Sequence, residues 1–273
     1  MIDVSHIRKS YDGITVLDDI SFSVAAGENI SILGPGTSGK STLLKIILGL
    51  EKPDSGTAQI FGLDMPNSSE SEKQRILKRV GVAFQQGALF DFMTVEQNLE
   101  FCIEHMTKLN PAQAKETITT LLEGVKLGGT KNLYPHELSG GMQRRIGIAR
   151  ALVNTPDLAF FDEPTSGLDP VTSTIILNMI RNMAGGAHNK SMVILTSSVE
   201  IAIRFCKRMI LIKNGQVEAD GNWKDILMQG SAWAKHFLSA RLIGLDIGYA
   251  RELDLPERFI HEHWTIRSDG PQA

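Results

Sequence analysis

The sequence predicts an α/β fold: a mainly parallel sheet, an antiparallel β flank at the N-terminus and an inserted α-helical subdomain. Three observations carry that expectation. Short apolar runs (ENISILG, VGVAF, LAFFDE, MVILTS, RMILIKNG) alternate with helical patterns, as parallel βαβ units require. Residues 2–25 instead alternate apolar and polar in IDVSHI, ITVL and ISFSV, the period of strands with one exposed face. From 86 to 137 the chain becomes helical and polar-rich, which interrupts the alternation.

In chain order, the two-residue period of 2–25 reads as antiparallel strands. ENISILG is then a strand, KSTLLKIILGL a helix stopped near Gly49, TAQIFG a strand, SEKQRILKRV a helix and VGVAF a strand. VEQNLEFCIEHM and PAQAKETITTLLEGV supply the helices of the insertion. LAFFDE, MVILTS and RMILIKNG follow as strands separated by helices of about 10–15 residues. Asn214-Gly215 is a hairpin signal joining ILIK to QVEAD. From Gly230 the rhythm lapses, and helix-like AWAKHFLSARLI leads into a turn-rich tail. The expected layout is a domain over 1–229, with its helical subdomain at about 86–137, and a C-terminal extension over 230–273.

The 273 residues are 42% hydrophobic and 22% charged, ordinary for a globular protein. With 28 basic and 31 acidic side chains the net charge is −3, which argues against nucleic-acid binding through charge. Cys102 and Cys206 lie in helix-like stretches and offer no disulfide framework, so a reduced, cytoplasmic setting is expected. No apolar run is long enough to span a bilayer, and MIDVSHIRKS lacks the layout of a signal peptide. Any service to a membrane is expected from its aqueous side, through a partner.

Gly34-Pro35-Gly36-Thr37-Ser38-Gly39-Lys40-Ser41 satisfies G-x-x-x-x-G-K-[ST] between a predicted strand and a predicted helix. Glycines let the backbone wrap a polyphosphate, successive N–H groups donate to its oxygens, and the helix N-terminus adds partial positive charge. Lys40 suits the β- and γ-phosphates and the Ser41 hydroxyl suits Mg²⁺. LAFFDE is an apolar strand ending in two acids that point to opposite faces. Asp162 suits the Mg²⁺ shell and Glu163 the attacking water; alone, the pair also admits the lesser reading of a solvated strand end. Ser139-Gly140-Gly141 precedes the helical run QRRIGIARALV, a well-capped helix start that also allows an anion close to the backbone.

Together these motifs resemble the ATP-binding subunit of ABC transporters over roughly 1–225. The phosphate loop through Thr42, Gln85, LSGGM (138–142), FFDEP (160–164) and SGLD (166–169) stand in that family's order. The resemblance implies a P-loop NTPase core, ATP with Mg as cofactors, and a head-to-tail dimer with a second ATPase chain. Ser139, Gly140 and Gly141 would then face the γ-phosphate held by the partner's phosphate loop. Gln85 would sense the metal and the attacking water and link them to the helical insertion on a membrane permease subunit. Asp169 would couple the two sites. Tyr11, in KSYDG, matches the aromatic residue that stacks on adenine; without the other motifs it reads equally as a strand-edge tyrosine.

QGALFDFMTVEQNL and GMQRRIGIARAL resemble the ATPases of Mla-type systems, which move phospholipid with MCE-domain proteins. That implies peripheral attachment at the inner face of the cell membrane. It also implies a C-terminal extension that contacts the neighbouring ATPase and a STAS-domain subunit, although 230–273 reads equally as a tail packed on its own domain. His261 and His263 in RFIHEHW share a face if extended, but make a poor metal site without further ligands.

One position departs from the family. Thr196-Ser197-Ser198 stands where the pattern has T-H-D, so Ser197 replaces the histidine beside the γ-phosphate. His188 precedes the strand, about 20 Å from its carboxyl end, and is too far to substitute. A serine hydroxyl is shorter and does not titrate near neutrality, so ATP affinity near normal and slow hydrolysis are expected. The alternatives are a subunit gated by nucleotide with little turnover, another cargo, or a soluble process.

Overall fold

The computed structural model describes residues 1–85, 87–184, 190–242 and 255–264. Among the described residues, ten strands form two sheets. The first is antiparallel, with strand order β2-β1-β4-β5, built from β1 (Ile2–Tyr11), β2 (Ile14–Val24), β4 (Ser55–Ile60) and β5 (Leu63–Asp64). The second has the order β10-β9-β3-β8-β7-β6: β3 (Asn29–Leu33), β6 (Val80–Ala83), β7 (Leu158–Asp162), β8 (Ser191–Thr196), β9 (Arg208–Lys213) and β10 (Gln216–Asn222). Every pair in it is parallel except the β9–β10 hairpin, whose turn carries Asn214 and Gly215, both at positive φ. The predicted α/β fold with an antiparallel flank is the one observed. TAQIFG joins the flank, pairing with β1 rather than with the parallel strands.

Strand order decides which strand ends meet. β8 lies between β3 and β7, with Leu33 opposite Thr196 and Leu195 opposite Asp162. The carboxyl ends of three strands distant in sequence therefore form one corner, the part of a parallel sheet where ligands collect.

The helices are α1 (Lys40–Ile47), α2 (Glu70–Leu77), α3 (Val95–Met106), α4 (Pro111–Gly124), α5 (Gly140–Ala151), α6 (Pro170–Ala184), α7 (Val199–Phe205), α8 (Trp223–Gln229), α9 (Ala232–Leu242) and α10 (Glu257–Trp264). α3 starts at a capping box of Thr94 with Gln97, and α4 at one of Asn110 with Gln113 followed by Pro111. α1 gives way at Gly49, which sits at φ 69°.

Alternation along the buried strands divides the core. Phe160 of β7 faces Ile30, Ile32, Leu43, Ile46 and the antiparallel sheet, so α1 is sandwiched between the sheets. Its neighbour Phe161 faces the other way, onto Ile146 and Ile148 of α5, Leu99 and Ile103 of α3, and Ile176 and Ile180 of α6. Burying a Phe side chain contributes about 1.5–3 kcal/mol, so β7 ties both layers to the strand that carries the acids. A third cluster joins Leu33, Met209 and Leu211 to Trp223 of α8, Leu238 of α9, and Phe259 and Ile260 of α10. The described parts of the C-terminal extension thus pack on the β3–β9 side of the sheet.

RFIHEHW is helical rather than extended. Side chains two apart in a helix diverge by about 200°, so the shared face proposed for His261 and His263 does not form. His261 is exposed and the side chain of His263 lies outside the described residues. No cluster of potential metal ligands occurs among the described residues.

Candidate functional site

The phosphate loop connects β3 to α1. Gly39 caps the helix at φ 91°, a left-handed conformation in which a Cβ would lie 2.7 Å from Leu17. Gly34 is crowded too: a Cβ there would meet the Ile212 carbonyl at 2.4 Å. Gly36 and Thr37 are exposed, while the Ser38 N–H donates to the Pro35 carbonyl at 3.1 Å. The Ser38 hydroxyl is buried with no hydrogen-bond partner, capacity left over inside the loop.

Lys40 has a side chain only 3% exposed, and its ammonium donates to the Gly34 and Pro35 carbonyls, both at 2.9 Å. Glu163 Oε1 lies 3.7 Å away. Burial pushes the Lys40 pKa down, opposed by the carboxylates of Glu163 and Asp162. Ser41 Oγ donates to Asp162 Oδ2 at 3.1 Å, while Asp162 Oδ1 is buried without a partner. Burial raises the Asp162 pKa, opposed by the Ser41 hydroxyl and by Lys40. A hydroxyl next to a carboxylate with an unsatisfied oxygen is a hard-oxygen donor set suited to Mg²⁺. The residues present therefore fit the metal.

Glu163 stands apart from Asp162, as opposite-facing neighbours must. Its φ is 44°, rare for a residue with a side chain, and its N–H donates to the Leu195 carbonyl at 2.8 Å. Thr196, fully buried, donates its hydroxyl to Glu163 Oε2 at 3.3 Å. Ser197 is exposed and lines a cavity of about 320 Å³ together with Glu163, Ser166 and Leu168. Ser198 caps α7, accepting from the Ile201 N–H at 3.4 Å. His188 lies outside the described residues.

Tyr11 ends β1, 40% exposed. Its hydroxyl donates to the Glu51 carboxylate, and Thr42 of α1 is a further hydrogen-bond partner. The Lys9 ammonium sits 5.2 Å from its ring centroid. The antiparallel flank thus brings an aromatic ring to the first turn of the phosphate-loop helix.

The signature residues gather elsewhere. Ser139 caps α5 by accepting from the Met142 N–H at 3.3 Å. A Cβ on Gly140 would meet nothing within 4 Å, and one on Gly141 would lie 3.2 Å from Thr172. Gly140 shares a cavity of about 470 Å³ with Gln85, Asp91, Gln143 and Arg144. Asp169 caps α6, accepting from the Thr172 N–H at 2.9 Å, and the Thr172 hydroxyl together with that N–H lowers its pKa.

Arg144, hidden from sequence reading in the run QRR, joins the two groups. Its guanidinium donates twice to the Gln85 carbonyl, at 3.1 and 2.9 Å, and once to the Ser166 carbonyl. Burial pushes its pKa down while the charge of Glu163 holds it up. Asn98, fully buried, ties the segment after Gln85 together by bonding Phe90 N–H and the carbonyls of Phe90, Met93 and Thr94.

Comparison with known proteins agrees with this geometry. The family model described as "ABC transporter" matches residues 17–166. Methionine import ATP-binding protein MetN 2 of Bacillus cereus is 34% identical over 233 residues, covering 84% of this chain and 68% of that protein. The probable ribonucleotide transport ATP-binding protein mkl of Mycobacterium tuberculosis is 33% identical over 272 residues, covering 100% of this chain and 75% of its own. Among solved structures, the dimeric post-hydrolysis state of the ATP-binding cassette MJ0796 with ADP and Pi superposes with a TM-score of 0.73 at 30% identity, over 81% of this chain and 98% of that one. CbiO1 from Clostridium perfringens, part of the transporter complex cbiONQ, gives 0.73 at 26% identity over 96% and 97%. The chain belongs to the ABC transporter family, as an ATP-binding and ATP-hydrolysing cassette that uses Mg²⁺.

Proposed function

We propose that this cassette hydrolyses ATP at the corner where β3, β7 and β8 end, and that it powers phospholipid movement in an MCE-linked system. One observation carries the catalytic reading: the acids at the end of β7 have separated, Asp162 to the Ser41 hydroxyl and Glu163 to Lys40 and Thr196. The backbone of residues 34–39 wraps the phosphates, and Lys40 exchanges its two carbonyl partners for phosphate oxygens. Ser41 and Asp162 would hold Mg²⁺, with Gln85 reaching it from the cavity it shares with Gly140, and the metal would supply positive charge against the phosphates. Glu163 orients a water and accepts its proton as the oxygen attacks the γ-phosphorus and the bond to ADP breaks. Tyr11 stacks on adenine. Ser139, Gly140 and Gly141 of a second, identical chain close over the γ-phosphate, and Asp169 couples the two sites.

The phospholipid cargo is supported by QGALFDFMTVEQNL and GMQRRIGIARAL, the two stretches that resemble Mla-type ATPases. The cassette then sits peripherally on the cytoplasmic face of the cell membrane. Its permease belongs with an MCE-domain protein, and residues 230–273 contact the neighbouring ATPase or a STAS-domain subunit. Copurification of the chain with its native partners, followed by mass spectrometry of proteins and bound small molecules, tests this. Phospholipid with MCE and STAS subunits is expected. Methionine or ribonucleotide, the cargoes in the relatives' names, sinks the lipid reading.

Ser197 favours a second reading, a nucleotide-gated subunit that closes on ATP and scarcely turns over. Phosphate release by the purified chain, with and without its membrane partner, separates the two.

A further inference from the structure

We propose that Thr196 is the positioning residue for Glu163. This rests on Glu163 being the base that activates water. The hydroxyl of Thr196 has one proton to give, and its oxygen already accepts the Ser198 N–H at 3.0 Å. The proton is therefore left for Glu163 Oε2, 3.3 Å away. The two oxygens of that carboxylate are addressed separately, Oε1 by the Lys40 ammonium at 3.7 Å and Oε2 by Thr196. When Lys40 turns to phosphate, the Thr196 contact remains.

The surroundings make Thr196 a rigid post. It is fully buried at the end of β8, and its carbonyl accepts the Gly34 N–H at 3.3 Å, where the phosphate loop begins. One residue thus touches the first residue of the loop with its backbone and the carboxylate with its side chain. Glu163 needs such a post, because its backbone holds a left-handed φ of 44° that a free strand end would not keep. The three hydroxyls in TSS therefore divide their work. Thr196 aims the base, Ser198 caps α7, and Ser197 between them is exposed on the cavity.

Single-turnover hydrolysis, ATP affinity and thermal melting of Thr196→Val, Thr196→Cys and Thr196→Ser test the proposal, with Glu163→Gln as reference. Val keeps the volume without the donor, Cys keeps it with a poor one, and Ser keeps the hydroxyl while leaving a gap. Val and Cys should slow hydrolysis about ten- to a hundredfold at ATP affinity unchanged within about threefold, and Ser should stay within about threefold of the parent rate. A packing role gives the opposite order, Val fast and Ser slow, and overturns the proposal. Parent-like rates in Val or Cys beside an inactive Glu163→Gln overturn it while leaving Glu163 as the base. A fully active Glu163→Gln instead overturns the reading of Glu163 itself. If Val fails to fold, the ordering of Cys and Ser decides.

Discussion

The phosphate-loop corner and the start of α5 carry equally recognisable motifs, yet they are built in opposite ways. At the corner Lys40, Asp162 and Thr196 are at most 5% exposed, and each touches another strand end or the loop. At α5, Ser139 and Gly140 are exposed, and nothing within 4 Å would oppose a side chain on Gly140. Folding of one chain completes the first half. The second half is left open, and its glycine is unexplained by any crowding inside the chain. On the proposed reading, a second chain would supply what the first leaves exposed.

Changes on the two sides should fail differently. The largest effect belongs to the closed half: Glu163→Gln should lower single-turnover phosphate release about 10²–10⁴-fold while ATP still binds, as equilibrium titration would show. Equal losses in both measurements would mean that Glu163 shapes the pocket and does not act on water. Next comes Ser197→His, which faces a cavity of about 320 Å³ beside Glu163. A restored imidazole donor should speed hydrolysis, with about 10²–10³-fold as the ceiling; an unchanged single-turnover rate would show that the missing histidine does not limit turnover.

In the open half, Gly140→Val should leave ATP affinity of the isolated chain intact. It should weaken ATP-driven dimerisation about ten- to a hundredfold, read by sedimentation in the Glu163→Gln background. Lost nucleotide binding by the monomer would break the division between the halves. The smallest effect concerns pH. Burial raises the Asp162 pKa, so this carboxylate takes up its proton at a higher pH than an ordinary aspartate. On the reading that Asp162 holds Mg²⁺ as a carboxylate, the advantage of MgATP over metal-free ATP should shrink on acidification, and at a higher pH than an ordinary aspartate would set. Asp162→Asn should abolish that limb of the titration.

What sequence reading captured was local. The phosphate loop is legible because eight adjacent residues specify strand, turn and helix start together, and β7 because an apolar run ends in two acids. Strand order was not legible. Nothing in SMVILTS says that β8 lies between β3 and β7, and that adjacency alone makes Thr196 a neighbour of both Gly34 and Glu163. Ser197 is the odd residue in the motif, but the buried hydroxyl one place earlier makes the contact. Arg144 escaped because a long cation in a run of cations looks like a solvated face. α7 spans only Val199–Phe205, shorter than the predicted helices, because Cys206 already returns the chain to the sheet in an extended conformation. RFIHEHW misled through its alternating histidines, although Phe259 and Ile260 anchor it as a helix on the third core cluster.

Gly87 and Gly147 touch backbone to backbone: a Cβ on Gly147 would lie 2.9 Å from the Gly87 Cα. Arg144 grips the Gln85 carbonyl a turn earlier on α5, so Gln85 and Gly87 each bear on the same helix. That helix begins at Ser139 and Gly140, so a shift of Gln85 or Gly87 would press on the element that carries the exposed half of the site.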